Sequence, residues 1–182
     1  MQLHTDSIYL RPLQEKDVDE LLELRVRNHP FLQPFEPIRP ASFHTREGQQ
    51  EQIEQSIRDF ANDRGFAFGV FLPENEQMIG RVALSNVVRG VWQNATLGYF
   101  LDQSHNGKGY TTQAVKLALQ FAFTKAQLHR VQAGVMPHNI GSIRVLEKNG
   151  FRYEGKSLRY LKINGAWEDH NMYAITAEEW TL

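Results

Sequence analysis

The chain has 182 residues, 41% of them hydrophobic, which is enough to bury the core of one domain. Its net charge of −1 gives no bulk electrostatic case for nucleic acid or a membrane surface, although a local basic patch stays open. The absence of cysteine excludes disulfides, thiolate catalysis and cysteine-based metal sites.

In chain order, residues 7–11 (SIYLR) read as a short first strand ended by Pro12. The opening MQLHTDSIYLRPL lacks the basic-then-apolar pattern of a signal peptide, and no apolar run approaches the ~18 residues of a membrane span, so a cytoplasmic protein is expected. Residues 15–28 (EKDVDELLELRVRN) form an amphipathic helix, acids early and arginines late, as the helix dipole prefers. Residues 29–40 (HPFLQPFEPIRP) carry four prolines and are expected to be irregular. They also carry Phe31, Leu32, Phe35 and Ile38, so this stiff loop either walls a pocket or packs over the core. Residues 45–62 make a mostly polar helix with Ile53, Ile57 and Phe60 at helical spacing. Residues 66–72 (FAFGVFL) and 78–84 (MIGRVAL) are the arms of a hairpin with a charged tip.

Residues 85–94 lead into a strand at 95–101 (ATLGYFL), with Gly98 in its middle, which fits a bulge or a close backbone approach. A turn (103–112) and a long helix (111–125) follow, then a strand at 129–135 (HRVQAGV) and a break at Pro137, His138 and Asn139. The helix Ile140–Lys148 is stopped by Asn149 and Gly150. Two strands, 151–163 and 166–175, join at Asn164-Gly165, a strong hairpin signal. The strand–helix–strand unit over 96–135 calls for a parallel pair with a right-handed crossover, and the hairpins for antiparallel pairs. A mixed sheet with helices on both faces follows.

The turn QSHNGKGYTT is where a ligand site would be built. Gly107 and Gly109 bracket Lys108 at the start of a helix, where free N–H groups and the positive dipole end favour phosphate oxygens. Asp102 stands where a P-loop needs its first glycine, and Thr112 where a dinucleotide fingerprint needs its third, which removes both. From the loop alone, a phosphate cradle and a plain tight turn both stand.

With this order and this loop, the chain resembles the GNAT superfamily of N-acetyltransferases. Ser104-His105-Asn106-Gly107-Lys108-Gly109 matches the glycines of its R/Q-x-x-G-x-G/A signature, with Ser104 in place of the usual first residue. Asn139-x-x-Ser142, then Glu147-Lys148-Asn149-Gly150-Phe151, matches its second motif. The stretches 97–102 (LGYFLD) and 128–130 (LHR), and the closing hairpin with Trp167, are similar to the RimJ/RimL branch, the ribosomal-protein N-terminal acetyltransferases. The stretches 31–40, 85–90 (SNVVRG), 136–139 (MPHN) and 164–170 (NGAWEDH) are similar to its RimJ-type members, which acetylate the N-terminal alanine of a small-subunit ribosomal protein.

The resemblance runs from about residue 7 to the end. It implies a single α/β (α+β) domain over 1–182. Its sheet would be mixed, mostly antiparallel and seven-stranded, splayed between the fourth and fifth strands and flanked by about four helices. It implies acetyl-coenzyme A as co-substrate, no metal, and direct transfer in a ternary complex. The acceptor would be the N-terminus of a ribosomal protein or small-subunit particle, met by a monomer or homodimer with no membrane or direct nucleic-acid contact.

The resemblance also assigns residues. Backbone amides of Asn106, Gly107, Lys108, Gly109, Tyr110 and Thr111 would hold the diphosphate. The pantetheine arm would run between strands 96–101 and 130–135, with the amide near Phe100 and Leu101 facing the thioester carbonyl. Asn139 would bond the arm, cap the following helix, or both. Ser142 is the acid for the leaving thiolate, or a solvated serine of a first turn. Leu146 replaces a tyrosine that many relatives carry, and Thr96 replaces a common glutamate base. Glu36 is the best remaining carboxylate for that base, its alternative being a surface acid. Tyr99 and His138 are lesser alternatives for the base and read first as packing and turn residues.

An α-amine of pKa near ~7.8 is about one-third neutral at pH ~7.5, against about one lysine in a thousand. Lacking a strong base therefore costs an α-amine enzyme little and a lysine enzyme about 4 kcal/mol. The seven histidines show no metal-ligand spacing; His4, His29 and His44 read as surface residues, and Trp92, Trp167 and Trp180 as core or rim. Two other functions remain: a GNAT enzyme acting on a small-molecule amine, and a ribosome-assembly factor with an incidental acetyl-coenzyme A site.

Overall fold

The structure, a computed structural model, describes residues 1–181. One sheet of eight strands runs through it: β1 (Leu3–His4), β2 (Tyr9–Pro12), β3 (Phe66–Phe71), β4 (Met78–Val88), β5 (Asn94–Leu101), β6 (Arg130–Val135), β7 (Arg152–Ile163) and β8 (Ala166–Thr176), in the spatial order β1-β2-β3-β4-β5-β6-β8-β7. Among the described residues only the β5–β6 pair is parallel. The expected count of seven is corrected to eight by β1, whose two residues pair with Leu10 and Tyr9. Two residues are too few to leave a periodic signature. Pro12 does not end its strand but is its last member, beyond the reach of β1, so its missing N–H forfeits no ladder bond on that edge.

The helices are α1 (Val18–Leu32), α2 (Arg46–Ala61), α3 (Tyr110–Thr124) and α4 (Ile140–Lys148). Residues 29–40 are more regular than four prolines suggest, because α1 continues through Pro30 and a 3₁₀ turn at Gln33–Phe35 follows. The bond that Pro30 cannot donate would have gone to the carbonyl of Val26, an exposed residue on the solvent side of the helix, where a lost helical bond costs least. Thr45 caps α2 by accepting from the Gly48 amide at 3.2 Å.

Alternation along the strands sorts the core into two layers. Phe66, Phe68 and Val70 of β3 face α3 and α4 with Val115, Leu119 and Leu146. Ala67 and Phe71 face α1 and α2 with Leu21, Leu24 and Ile53, and Phe100 of β5 joins this second layer. The parallel pair is short. β5 and β6 are in register only from Asn94↔Arg130 to Thr96↔Gln132, after which β5 stays with β4 and β6 with β8. The sheet therefore splits open along residues 97–101, at the end of β5 that leads into α3.

Candidate active site

The glycine turn is tied down from below. Asp102, at the end of β5, is buried. Arg27 of α1 donates to its carboxylate at 2.8 Å, the Ser104 hydroxyl at 3.0 Å and the Ser104 amide at 3.3 Å. Burial alone pushes this carboxyl up, but those hydrogen bonds win and hold it at about 2. Asn28, also on α1, accepts from the Gln103 amide at 2.9 Å. Above this footing, Gly107 and Gly109 stand at φ +80° and +79°, the left-handed region open to glycine, and Gly109 is the N-cap of α3. No side chain caps α3, and among the described residues the amides of 107–112 donate to no acceptor. The Asn106 amide is different: it donates to the Gln103 carbonyl at 3.2 Å, so only the Asn106 side chain is left to face a ligand. Lys108 is exposed and does not line the cleft.

A cleft of about 550 Å³ opens from these amides, walled by Phe31 and Phe35 on one side and by Ser142, Arg144 and Lys148 of α4 on the other. It meets an inner chamber of about 210 Å³ between Gly98–Phe100 and residues 133–136, with Glu36, Leu146 and His170 in its wall. Leu32, Phe35, Tyr99, Phe100, Asn139 and Ser142 belong to both, so the two are one continuous groove. A Cβ built on Gly98, Gly107, Gly109 or Gly141 would meet nothing within 4 Å, so the backbone lies bare along the groove. The aromatic loop is thus a pocket wall.

The open sheet edge contributes its own donors. Asp102 N–H donates to the Ile79 carbonyl, and Leu101 lies opposite Gly80. Antiparallel alternation then turns the Phe100 N–H towards β4 and the Tyr99 and Leu101 N–H groups towards the gap that β6 has left. The Leu101 amide is therefore the one that faces the opening, while the Phe100 amide is held in the ladder.

Around the chamber, Tyr99 Oη lies 2.7 Å from Ser142 Oγ. Burial pushes the Tyr99 phenol up to about 12, against the pull of its bond to Ser142, so it keeps its proton at working pH. Asn139 caps α4 by accepting from the Ser142 amide at 3.3 Å, and its side chain also lines the groove, so capping and groove contact coexist. Glu36 lines the chamber but is not free: Arg25 donates to it at 2.7 Å and stacks 3.8 Å over the Phe100 ring.

His170 of β8 was not singled out by spacing. It is 3% exposed, lines the chamber, and packs edge-on to Tyr160 with centroids 5.5 Å apart. Its Nδ1 lies 3.0 Å from the Glu168 carbonyl. A carbonyl only accepts, so Nδ1 carries the proton of this contact and Nε2 is the nitrogen left open to a ligand. Nε2 has no partner among the described residues. Only the hairpin fold brings this ring to Gly134, where its Cδ2 lies 3.6 Å from an ideal Cβ; a sequence offers no local signal for that.

The groove thus joins unpaired amides and two basic side chains, suited to a diphosphate, to a narrow chamber with a proton donor pair and a free imidazole. Such a groove fits acetyl-coenzyme A in charge and in the bare backbone along it. Among the described residues, no group of three or more His, Asp and Glu is placed to hold a metal.

Comparison with known proteins agrees. Residues 7–152 match the model of the acetyltransferase (GNAT) domain. A probable N-acetyltransferase, YjcK of Bacillus subtilis, is 46% identical over 93% of both chains. The crystal structure of a ribosomal-protein-S5-alanine acetyltransferase from Vibrio fischeri superposes with a TM-score of 0.94 at 31% identity, covering 100% of each chain. Mycobacterium smegmatis RimJ, solved in complex with a CoA-disulfide, superposes at 0.91 with 32% identity over 98% of this chain and 87% of its own. The chain belongs to the GNAT family, enzymes that acetylate amines at the expense of acetyl-coenzyme A.

Proposed function

We propose that this enzyme acetylates the N-terminal α-amine of a ribosomal protein, with alanine as the terminal residue, in the cytoplasm and by direct transfer within a ternary complex. The observation that carries the chemistry is the single groove with unpaired amides at its outer end and the free Nε2 of His170 at its inner end. The acceptor reading is supported by the likeness to the S5-alanine enzyme and RimJ.

When bound, acetyl-coenzyme A supplies an acetyl group activated as a thioester. The amides of 107–112, with Arg144 and Lys148, bind the diphosphate. The Leu101 N–H offers a hydrogen bond to the acetyl carbonyl oxygen. Asn139 orients the pantetheine arm from the α4 cap. Tyr99 Oη and Ser142 Oγ share a proton that is available to the departing sulfur. His170 Nε2 accepts the proton of the attacking amine. Glu36, with one oxygen on Arg25, lends its charge to the ammonium form on entry.

Turnover on a peptide panel tests this: N-terminal alanine, N-terminal serine, and a lysine peptide with a blocked terminus. The expected order is alanine first and lysine at background. Turnover confined to lysine or to small amines would overturn the acceptor assignment.

A further inference from the structure

Behind the Arg25–Glu36 pair lies a second, smaller cavity that the acetyl-transfer reading does not use. It holds about 60 Å³ and is enclosed by Arg25 of α1, Arg39 and Phe43 of the α1–α2 connection, Gln52 of α2, and Arg81 of β4. Arg81 lies opposite Phe100 in the β4–β5 ladder, on the face covered by α1 and α2. Arg25 and Arg39 flank the Phe43 ring, 5.5 and 5.1 Å from its centroid.

Three guanidinium groups thus converge on one small space, and Glu36, held by Arg25, is the one carboxylate among the charges acting on Arg81. Arg39 makes no ion pair among the described residues, and Arg81 makes neither an ion pair nor a side-chain hydrogen bond. Burial, and then the neighbouring Arg25 and Arg39, press the Arg81 guanidinium down to about 10, so it is still a cation at neutral pH. Arg81 is half-buried at the wall of the cavity, so its guanidinium, without a protein partner, is left open to an anion that enters there. At roughly 10–15 Å³ per water-sized atom, the cavity has room for about four to six atoms. That is the size of a carboxymethyl or phosphate group, and far less than a nucleotide.

We propose that Arg25, Arg39 and Arg81 form an oxyanion site for a carboxylate or phosphate group, one ion pair removed from the acetyl-transfer chamber. Arg25 serves both sites: Glu36, its partner, faces the chamber, while Arg25 itself faces the cavity. An anion seated on Arg81 competes for Arg25 and loosens its hold on Glu36. The anion has two sources: an acidic side chain of the acceptor, or a free anion. The acceptor source rests on the proposed function; the site itself does not.

Calorimetry with inorganic phosphate, run with coenzyme A saturating so that the α3 amides are occupied, reads the site directly. The wild type is expected to bind one phosphate. Arg81→Met is expected to bind at least about tenfold more weakly. Arg39→Met, at the exposed rim, gives the same direction if Arg81→Met fails to fold, as a circular dichroism melt will show. Absence of phosphate binding at millimolar concentration, or equal binding by wild type and variants, overturns the proposal.

Steady-state kinetics then separates the sources. Acceptor peptides differing only as Glu against Gln near the terminus are compared with and without phosphate. If phosphate raises KM for the Glu peptide alone, and Arg39→Met removes its advantage, the acceptor's carboxylate is the ligand. If phosphate shifts both peptides alike, a free anion is. No turnover with any peptide would sink the acceptor assignment and leave the calorimetric result standing.

Discussion

The tautomer of one ring decides how the amine loses its proton. With Nδ1–H held by the Glu168 carbonyl, His170 can only accept at Nε2, and it does so inside a chamber where the neighbouring carboxylate already serves Arg25. The Tyr99 phenol, at about 12, is excluded as an acceptor by the same burial that makes it a dependable donor. A glutamine at position 170 fills much of the space and can still donate to Glu168, but it offers no basic nitrogen. We expect His170→Gln to lower kcat about 10²-fold, the low end for a lost general base, with coenzyme A affinity unchanged. Chemical rescue separates this from a packing defect: added imidazole restores turnover to the variant if only the basic nitrogen is missing, and does nothing if the chamber has lost its shape. An unchanged kcat would return His170 to the role of a buried wall residue.

At the scale of the element, the turn before α3 shows what is local and what is not. Gly107, Gly109 and the amphipathic run behind them were legible because their cause lies within a few residues: glycine for φ near +80°, apolar spacing for the helix. What holds the turn was not legible, because its supports, Arg27 and Asn28, arrive from α1, 75 residues away. The same holds for His170, and for Pro30, whose tolerance depends on the exposed side of α1. The anchor has a measurable pH signature. The Asp102 carboxyl sits at about 2 against an ordinary 3.8, so its contribution is fully present above pH ~4 and is lost as pH falls through ~2. At 1.36 kcal/mol per pH unit this is at most about 2 kcal/mol, less because Arg27 is partly exposed. Urea melts of wild type should therefore lose up to that much stability between pH ~4 and ~2 beyond what Asp102→Asn loses. Identical acid dependence of the two proteins would show that the turn is held without this carboxylate.

For the molecule as a whole, the split between β5 and β6 couples stability to ligand. Past Thr96 and Gln132, the two strands stop pairing, and the Tyr99 and Leu101 amides face an opening instead of a strand. The apolar patterns of both strands predict them well, but no pattern says where two good strands part; that is set by which neighbour each one keeps. A ligand that supplies acceptors along β5 and a diphosphate to the α3 amides binds only the folded chain, so it must raise the melting temperature. At about 100 times its Kd, coenzyme A adds about 2.7 kcal/mol. For a chain of this size, about 2–4 °C per kcal/mol makes the rise about 5–11 °C. Gly109→Tyr places a side chain where a Cβ now meets nothing, at a φ of +79° that a tyrosine adopts only under strain. It should melt somewhat lower without ligand and show no rise with it, because the cradle is filled. If the variant kept the full rise, the amides before α3 would not be the anchor, and the grip on coenzyme A would have to come from the sheet edge and α4 alone.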